Sequence, residues 1–278
     1  MPHPIRLISA EEGAIRLPAL SAPCPGGCRA LVSLDYDGTL RHEQSGIHPD
    51  FAPTIRSLRA QGVRWGINTG RSLRKLEPEL AALPLMPDFI CTCERYVYLA
   101  DAEGRLRPAS AYNARCHAAN AALLSELLPT WQSELTALRA LLPDLKWEIA
   151  ADDPLSIEAR DSSVMDALMP HLLRFAASLP LRHIKIQRAG RFMRFSDANF
   201  SKGSALRYLQ QLWSVPEDHI FLMGDGHNDL DAFACFPRAY CAAPESAHHD
   251  VLAWIRAHGG RLAPDVPHAL RHWQQTSL

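Results

Sequence analysis

Residues 30–40 read Ala30-Leu31-Val32-Ser33-Leu34-Asp35-Tyr36-Asp37-Gly38-Thr39-Leu40. The first five form an apolar run without polar alternation, the pattern of a strand buried on both faces of a parallel sheet. Asp35, Asp37 and Gly38 then end the strand and open a loop at its carboxyl end, where open α/β sheets place ligands. Asp35 and Asp37 are two positions apart and can flank one metal ion or one reacting group. Gly38 lets the backbone approach an anion closely. The same residues also suit an acidic turn between strand and helix, so the stretch alone leaves both readings open.

Downstream, residues 45–53 form a polar stretch fit for a flap over the loop. A short helix follows at 53–61, with Ile55 and Leu58 on one face and Gly62 as its stop. Residues 63–68 read as a second strand that delivers Thr69. Ser72 is placed to cap a helix running to about 83, and 87–92 reads as a third strand. Strands and helices alternating through short connections predict a Rossmann-like parallel sheet with helices on both faces.

The rhythm changes after Glu94. Residues 96–100 read as a strand before a hairpin-like turn, Asp101-Ala102-Glu103-Gly104. A helical stretch covers 111–142, interrupted near Pro129. Residues 146–160 read as one or two strands, with alternation at Leu155, Ile157 and Ala159. Ser162 or Ser163 caps a helix to about 179, and 181–195 reads as two strands turned at Ala189-Gly190. This predicts an α+β module, residues 95–195, inserted between two segments of α/β core, 30–94 and 196–278. Residues 1–29 are expected to be an irregular arm with a short strand at 14–17. Asn199 suits a left-handed turn. Lys202 starts a helix with Leu206, Leu209 and Leu212 on one face, 220–223 and 238–242 read as strands, and 267–275 as a closing helix.

Three further motifs follow the first in order: Thr69-Gly70-Arg71, Lys202-Gly203, and Gly224-Asp225-Gly226-His227-Asn228-Asp229 after the strand Ile220-Phe221-Leu222-Met223. Together with Asp35-Tyr36-Asp37-Gly38-Thr39-Leu40 they resemble the four motifs of the haloacid dehalogenase superfamily, in the Cof-like and sucrose-phosphatase-like branch with a large cap. The resemblance runs from about residue 30 to near the end.

It implies a Mg²⁺-dependent phosphatase acting on a small phosphorylated metabolite, most like those that handle sugar phosphates. Asp35 would be the nucleophile that forms an aspartyl phosphate, and Asp37 the general acid and then base. Thr69 and Lys202 would bind the phosphoryl group, with Gly38, Thr39, Gly70, Arg71 and Asn228 around it. Mg²⁺ would be held by Asp35, the Asp37 carbonyl and Asp225, with Asp229 acting through water or from behind. From the cap, Arg160, Lys185, Arg191 and Arg194 are candidates to reach the substrate. Arg194 stands where relatives often carry an acidic residue, which suggests a substrate with extra negative charge. A phosphomutase would use the same four motifs, and a non-catalytic phosphometabolite-binding protein would keep the fold. His227 is placed at the pocket mouth, His248-His249 in a polar loop, and Trp131, Trp147 and Trp213 in packing roles.

The bulk properties fit. The 278-residue chain is 47% hydrophobic and 21% charged with a formal net charge of −1, which gives no argument for nucleic acid or a membrane surface. No apolar run approaches the roughly 18 residues that span a bilayer, and the start lacks a signal-peptide core. Seven cysteines at these spacings are expected to be reduced thiols in a cytoplasm. Cys24 with Cys28, and Cys91 with Cys93, lack second pairs at zinc-like spacing. Nothing chooses between monomer and homodimer.

Overall fold

The run 30–34 forms strand β1 (Ala30–Leu34), buried along its whole length. In the computed structural model, which describes residues 27–150, 153–181 and 183–278, β1 lies inside an eight-stranded sheet. Its neighbours are β2 (Val63–Asn68) and β10 (Ile220–Met223), both parallel to it. Beyond β2 lies β3 (Phe89–Thr92), and beyond β10 lie β11 (Tyr240–Pro244) and β12 (Arg261–Ala263), all parallel. The chain builds outward from β1 in both directions, so the strand order reverses at the β1–β10 junction, the place where such sheets open a crevice. The α/β Rossmann-like reading with an insertion holds. The expected strand at 14–17, and the arm apart from residues 27–29, lie outside the described residues.

Helices α1 (Phe51–Ala60), α2 (Leu73–Leu80), α5 (Lys202–Trp213), α6 (Asp229–Cys235), α7 (His249–Ala257) and α8 (Val266–Ser277) accompany this sheet. Gly62 ends α1 as expected: its φ is +87°, and its N–H donates to the Arg59 carbonyl. Ser72 precedes α2, but its side chain makes no cap bond, and α2 stops at Leu80 rather than 83. Leu206 and Leu209 are buried, whereas Leu212 is 46% exposed. Two successive steps of three residues drift around a 3.6-residue helix, so the last leucine leaves the core face. Asn199 is not left-handed; Asp197 Oδ1 holds both its backbone and its side-chain N–H at 2.8 Å. His248-His249 is not a loop: His248 is the N-cap of α7, and His249 is its first residue.

The largest departures concern the insertion. Strands β4 (Tyr96–Ala100) and β5 (Leu106–Pro108), assigned above to the cap, pair antiparallel onto β3 and extend the large sheet. Helix α3 (Ser110–Leu141) is one continuous helix of 32 residues with Pro129 inside it, not a helix broken there. Its first turns belong with the large sheet. Tyr112 joins that core, and Asn113 pairs with both the N–H and the carbonyl of Val97 at 2.9 Å, in the manner of another strand. Its later turns carry Leu123, Leu127, Trp131 and Leu138 into a second core. Periodicity alone could not show that one helix serves two cores, since both halves carry the same 3.6-residue pattern.

The second core is covered by an antiparallel sheet in the order β6 (Trp147–Ala150), β7 (Asp153–Ala159), β9 (Phe192–Asp197), β8 (Ile184–Ala189), with α3 and α4 (Ser162–Ser178) packed on it. Asp161, not Ser162 or Ser163, caps α4, accepting from Val164 N–H at 3.0 Å. The shorter Ser163 hydroxyl instead donates to Asp161. Trp131 is fully buried against Phe175 and Phe195; Trp147 and Trp213 pack at core edges, as expected.

Candidate active site

Asp35 follows β1, Thr69 follows β2 and Asp225 follows β10, so three adjacent parallel strands deliver them to one edge of the sheet. Lys202 arrives at the start of α5, where Ser201 and Ser204 form a capping box. Its ammonium is 1% exposed and bridges Asp35 Oδ1 at 2.6 Å and Asp229 Oδ1 at 2.7 Å. Asp225 lies beside them, and its Oδ1 accepts from the Thr39 hydroxyl at 3.1 Å. Asp229 Oδ2 accepts from Gly226 N–H at 3.0 Å, which folds the motif loop back on itself.

Three carboxylates thus share one buried cation. Burial pushes Asp35 well above the ordinary carboxylate range against the pull of Lys202, with Asp229 and Asp225 adding to the rise. Burial and the Asp229 charge push Asp225 up to about 6. Burial would lower the affinity of Lys202 for its proton, but Asp229 and Asp35 outweigh it and hold the group above its usual value. The cluster carries surplus negative charge that one ammonium does not neutralise. Asp35, Asp225 and Asp229 each bring a ligand oxygen within 4.8 Å of the others. Buried, hard and negative, this set fits a divalent cation of the Mg²⁺ class.

Gly38 makes the approach possible. Its φ is +76°, and a Cβ there would fall 2.8 Å from Asp225 Cγ. Gly38→Ala is therefore expected to cost about 1–3 kcal/mol in backbone strain and to push the Asp225 carboxylate out of place. A Mg²⁺ titration followed by thermal shift should show weaker binding in the variant, and unchanged binding would contradict this account.

Thr69 is buried, and its hydroxyl oxygen accepts from Arg71 N–H at 3.2 Å, leaving its proton to donate elsewhere. Arg71 makes two bonds of 2.7 Å to the Asp37 carboxylate and one to Glu79. It occupies the side chain of Asp37 here instead of standing free as an anion receptor. Asn228, in the fourth motif, donates its side-chain amide N–H to Glu94 Oε1 at 2.9 Å.

Glu94 has no counterpart among the expected residues. It is buried, and its other oxygen, Oε2, has no hydrogen-bond partner. Cys93 and Glu94 both have positive φ, +48° and +64°, an uncommon conformation for side-chain-bearing residues. A Cβ on Gly70 would stand 3.2 Å from Glu94 Oε1, so the small residue of the second motif makes room for this carboxylate. Nothing in the sequence around Glu94 distinguishes it from a strand-end residue.

The cap candidates separate. Arg194 is buried, ion-paired with Asp153 at 3.1 Å, and donates to the Cys93 carbonyl at 3.3 Å, so it meets the core beside Glu94. Lys185 pairs with Asp231, whose other oxygen accepts from Gly203 N–H at 2.9 Å. Arg191 pairs with Glu158 at 2.6 Å and shares a groove with Lys146, Trp147 and Arg160, cap residues only. It sits at the β8–β9 turn and is not brought together with the core motifs. Arg160 is exposed against Asp161.

His227 does not stand alone at the rim. Its Nε2 is 3.0 Å from Asp250 Oδ2, and its ring centroid is 3.9 Å from that of His248. Burial and the neighbouring ring lower the affinity of His227 for a proton; burial and His249 do the same for His248, and Arg188 of β8 adds to both. None of the described cysteines forms a disulfide, and no described helix is long and apolar enough to cross a membrane.

The chain is similar to known proteins in sequence and in fold. The sequence family described as haloacid dehalogenase-like hydrolase matches residues 32–96 and 166–253, more than half of the chain. The chain belongs to that family. Among solved structures, the sucrose-phosphatase of Synechocystis sp., in complex with sucrose and phosphate, is similar at a TM-score of 0.63 and 19% identity, over 89% of this chain and 98% of that one. A haloacid dehalogenase-like hydrolase from B. subtilis is similar at 0.58 and 18%, over 90% and 100%. One from Bacteroides thetaiotaomicron gives 0.56 and 15%, over 88% and 99%. At these identities the likeness is one of fold. No curated protein matches the sequence. The protein is thus a haloacid dehalogenase-like hydrolase, with the family's sheet and a cap beside it.

Proposed function

We propose that this hydrolase cleaves a small phosphomonoester, a sugar phosphate or similar metabolite, in a Mg²⁺-dependent reaction through an aspartyl phosphate. The observation that carries the reading is the buried cluster of Asp35, Lys202, Asp225 and Asp229 at the β1–β10 crevice. Phosphoryl transfer needs little beyond a positioned nucleophile, charge neutralisation and a proton for the leaving group, and the cluster and its surroundings supply each.

Lys202 fixes Asp35 Oδ1 at 2.6 Å, which leaves the second oxygen to attack phosphorus. As the new O–P bond forms, the ester O–P bond breaks, and Asp37 gives its proton to the departing alcohol oxygen. For this Asp37 must turn from Arg71, an exchange open to a side chain at the exposed edge of the site. Water then attacks the aspartyl phosphate, Asp37 takes its proton, and Asp35 and inorganic phosphate are released. Thr69, the backbone N–H groups near Gly38 and Lys202 bind the phosphoryl oxygens. The Asp35 side chain, the Asp37 carbonyl and Asp225 would hold Mg²⁺, with Asp229 and Thr39 behind them. When bound, the ion neutralises the charge that three carboxylates and a phosphate dianion bring together.

Support for a polar, hydroxyl-bearing leaving group comes from the cap junction, where Glu94 Oε2 has no hydrogen-bond partner and Arg194 donates to the carbonyl of the preceding residue, Cys93. A carboxylate there accepts from sugar hydroxyls, and a buried guanidinium suits an additional acidic group. Phosphate release should be measured across a panel of phosphorylated metabolites, with and without Mg²⁺. Release that requires the ion, fastest for a sugar phosphate, is expected. Turnover only with a bisphosphate activator would indicate a mutase, and binding without any release would indicate a non-catalytic receptor.

A further inference from the structure

Among the described residues, a second group besides the carboxylate cluster brings three ligand atoms within 4.8 Å: His227, His248 and Asp250. Its donor chemistry differs. Two imidazoles and one carboxylate suit a borderline ion such as Zn²⁺, whereas Mg²⁺ prefers an all-oxygen set. We propose that His227, His248 and Asp250 form a separate Zn²⁺-class binding site at the rim of the active site, independent of the phosphatase chemistry.

The placement is already assembled. His227 Nε2 approaches Asp250 Oδ2 at 3.0 Å, and the His248 ring lies against that of His227 with 3.9 Å between centroids. The backbone holds this arrangement: His248 N–H donates to the Asp225 carbonyl at 2.9 Å, and the His248 ring caps α7 by accepting from Asp250 N–H. Two of the ligands are thus fixed on one helix start and the third on the adjacent loop. The nearby cation, Arg188, is tied to Asp166 at 2.7 Å, which tempers its repulsion of an incoming ion. His249 touches the other Asp250 oxygen but is 81% exposed and stands outside the group.

The site has a structural consequence. His227 lies between Asp225 and Asp229 in the chain, so an ion held here clamps the loop that carries two residues of the carboxylate cluster to the start of α7.

The test is calorimetric titration of ZnCl₂ into the full chain at saturating MgCl₂, for wild type, His248→Asn and Asp250→Asn. Asn at 248 retains a capping side chain while removing the imidazole, and circular dichroism checks that each variant is folded. One equivalent of Zn²⁺ is expected to bind wild type. Each variant should bind about 10–100-fold more weakly, at least the cost of losing a residue that merely supports a metal ligand. Co²⁺ in place of Zn²⁺ should give visible d–d absorption in wild type only. No binding to wild type would overturn the proposal, as would equal binding to all three proteins. So would an affinity that falls in proportion to added Mg²⁺, which would put the Zn²⁺ in the carboxylate cluster. None of these readouts depends on phosphate release, so failure of the phosphatase reading would leave the result intact.

Discussion

Replacing Asp35 by Asn is expected to reduce kcat for the best phosphomonoester by on the order of 10⁴–10⁶-fold, as when one member of a concerted catalytic set is lost. Asn keeps the shape of the side chain and an acceptor for Lys202, but its amide oxygen does not form a stable acyl phosphate. The fold should survive, because the substitution removes a carboxylate that burial already disfavours as an anion. Thermal unfolding should show a Tm no lower than that of wild type. Trapping offers a second readout: wild type quenched in acid during turnover should carry phosphate on Asp35, and the variant none. Retention of more than about a tenth of the wild-type rate would remove the nucleophile from Asp35 and with it the aspartyl-phosphate route.

Why this residue stands out in the sequence is itself physical. Strands buried on both faces must be continuously apolar, so a run such as Ala30–Leu34 broken by two carboxylates announces both a central strand and its functional end. Thr69 and Asp225 likewise follow strands legible in the sequence, although only the run before Asp225, Ile220–Met223, is continuously apolar. Motif order then named Lys202, whose burial no local pattern reveals. A lysine at a helix start is ordinarily solvated, and only the fold shows its ammonium enclosed between Asp35 and Asp229.

What sequence reading missed depends on contacts distant in the chain. Glu94 becomes part of the site because Asn228, 134 residues later, reaches its carboxylate. Asp250 joins His227 across 23 residues. A hairpin that extends a sheet and one that starts a new domain carry the same alternation and the same turn, so the sequence alone does not show that β4 and β5 join the large sheet. The local penalty of Pro129 predicts a break, but the packing of α3 against two cores outweighs that cost. Arg191 and Arg194 are three residues apart on one hairpin, yet one turns to Glu158 within the cap and the other to the core at Cys93. The period of two distinguishes the faces of a strand, but not which face meets the active site.

Lys202→Met should cost both stability and rate, and the two losses respond differently to added ion. The ammonium makes hydrogen bonds of 2.6 and 2.7 Å to carboxylates that are themselves buried. Removing one partner of such a buried network leaves uncompensated charge and typically costs about 3–5 kcal/mol, roughly 10 °C in Tm for a chain of this size. The sign with pH follows from the remaining acids. Asp35 and Asp225 are raised above their unfolded values even with Lys202 present, and losing the lysine raises Asp35 further. Acids raised on folding favour the native state below their unfolded pKa and lose that contribution as pH climbs through the folded value. The variant should therefore gain Tm on acidification from pH 8 toward 5, more steeply than wild type. Mg²⁺ should restore more Tm to the variant than it adds to wild type, because the ion then meets a site with one more unbalanced negative charge. It should not restore the rate: a lost charge contact to the transferring phosphoryl group costs about 10²–10³-fold in kcat. A variant with wild-type Tm at every pH, and the same response to Mg²⁺, would mean that Lys202 does not hold the carboxylate cluster together.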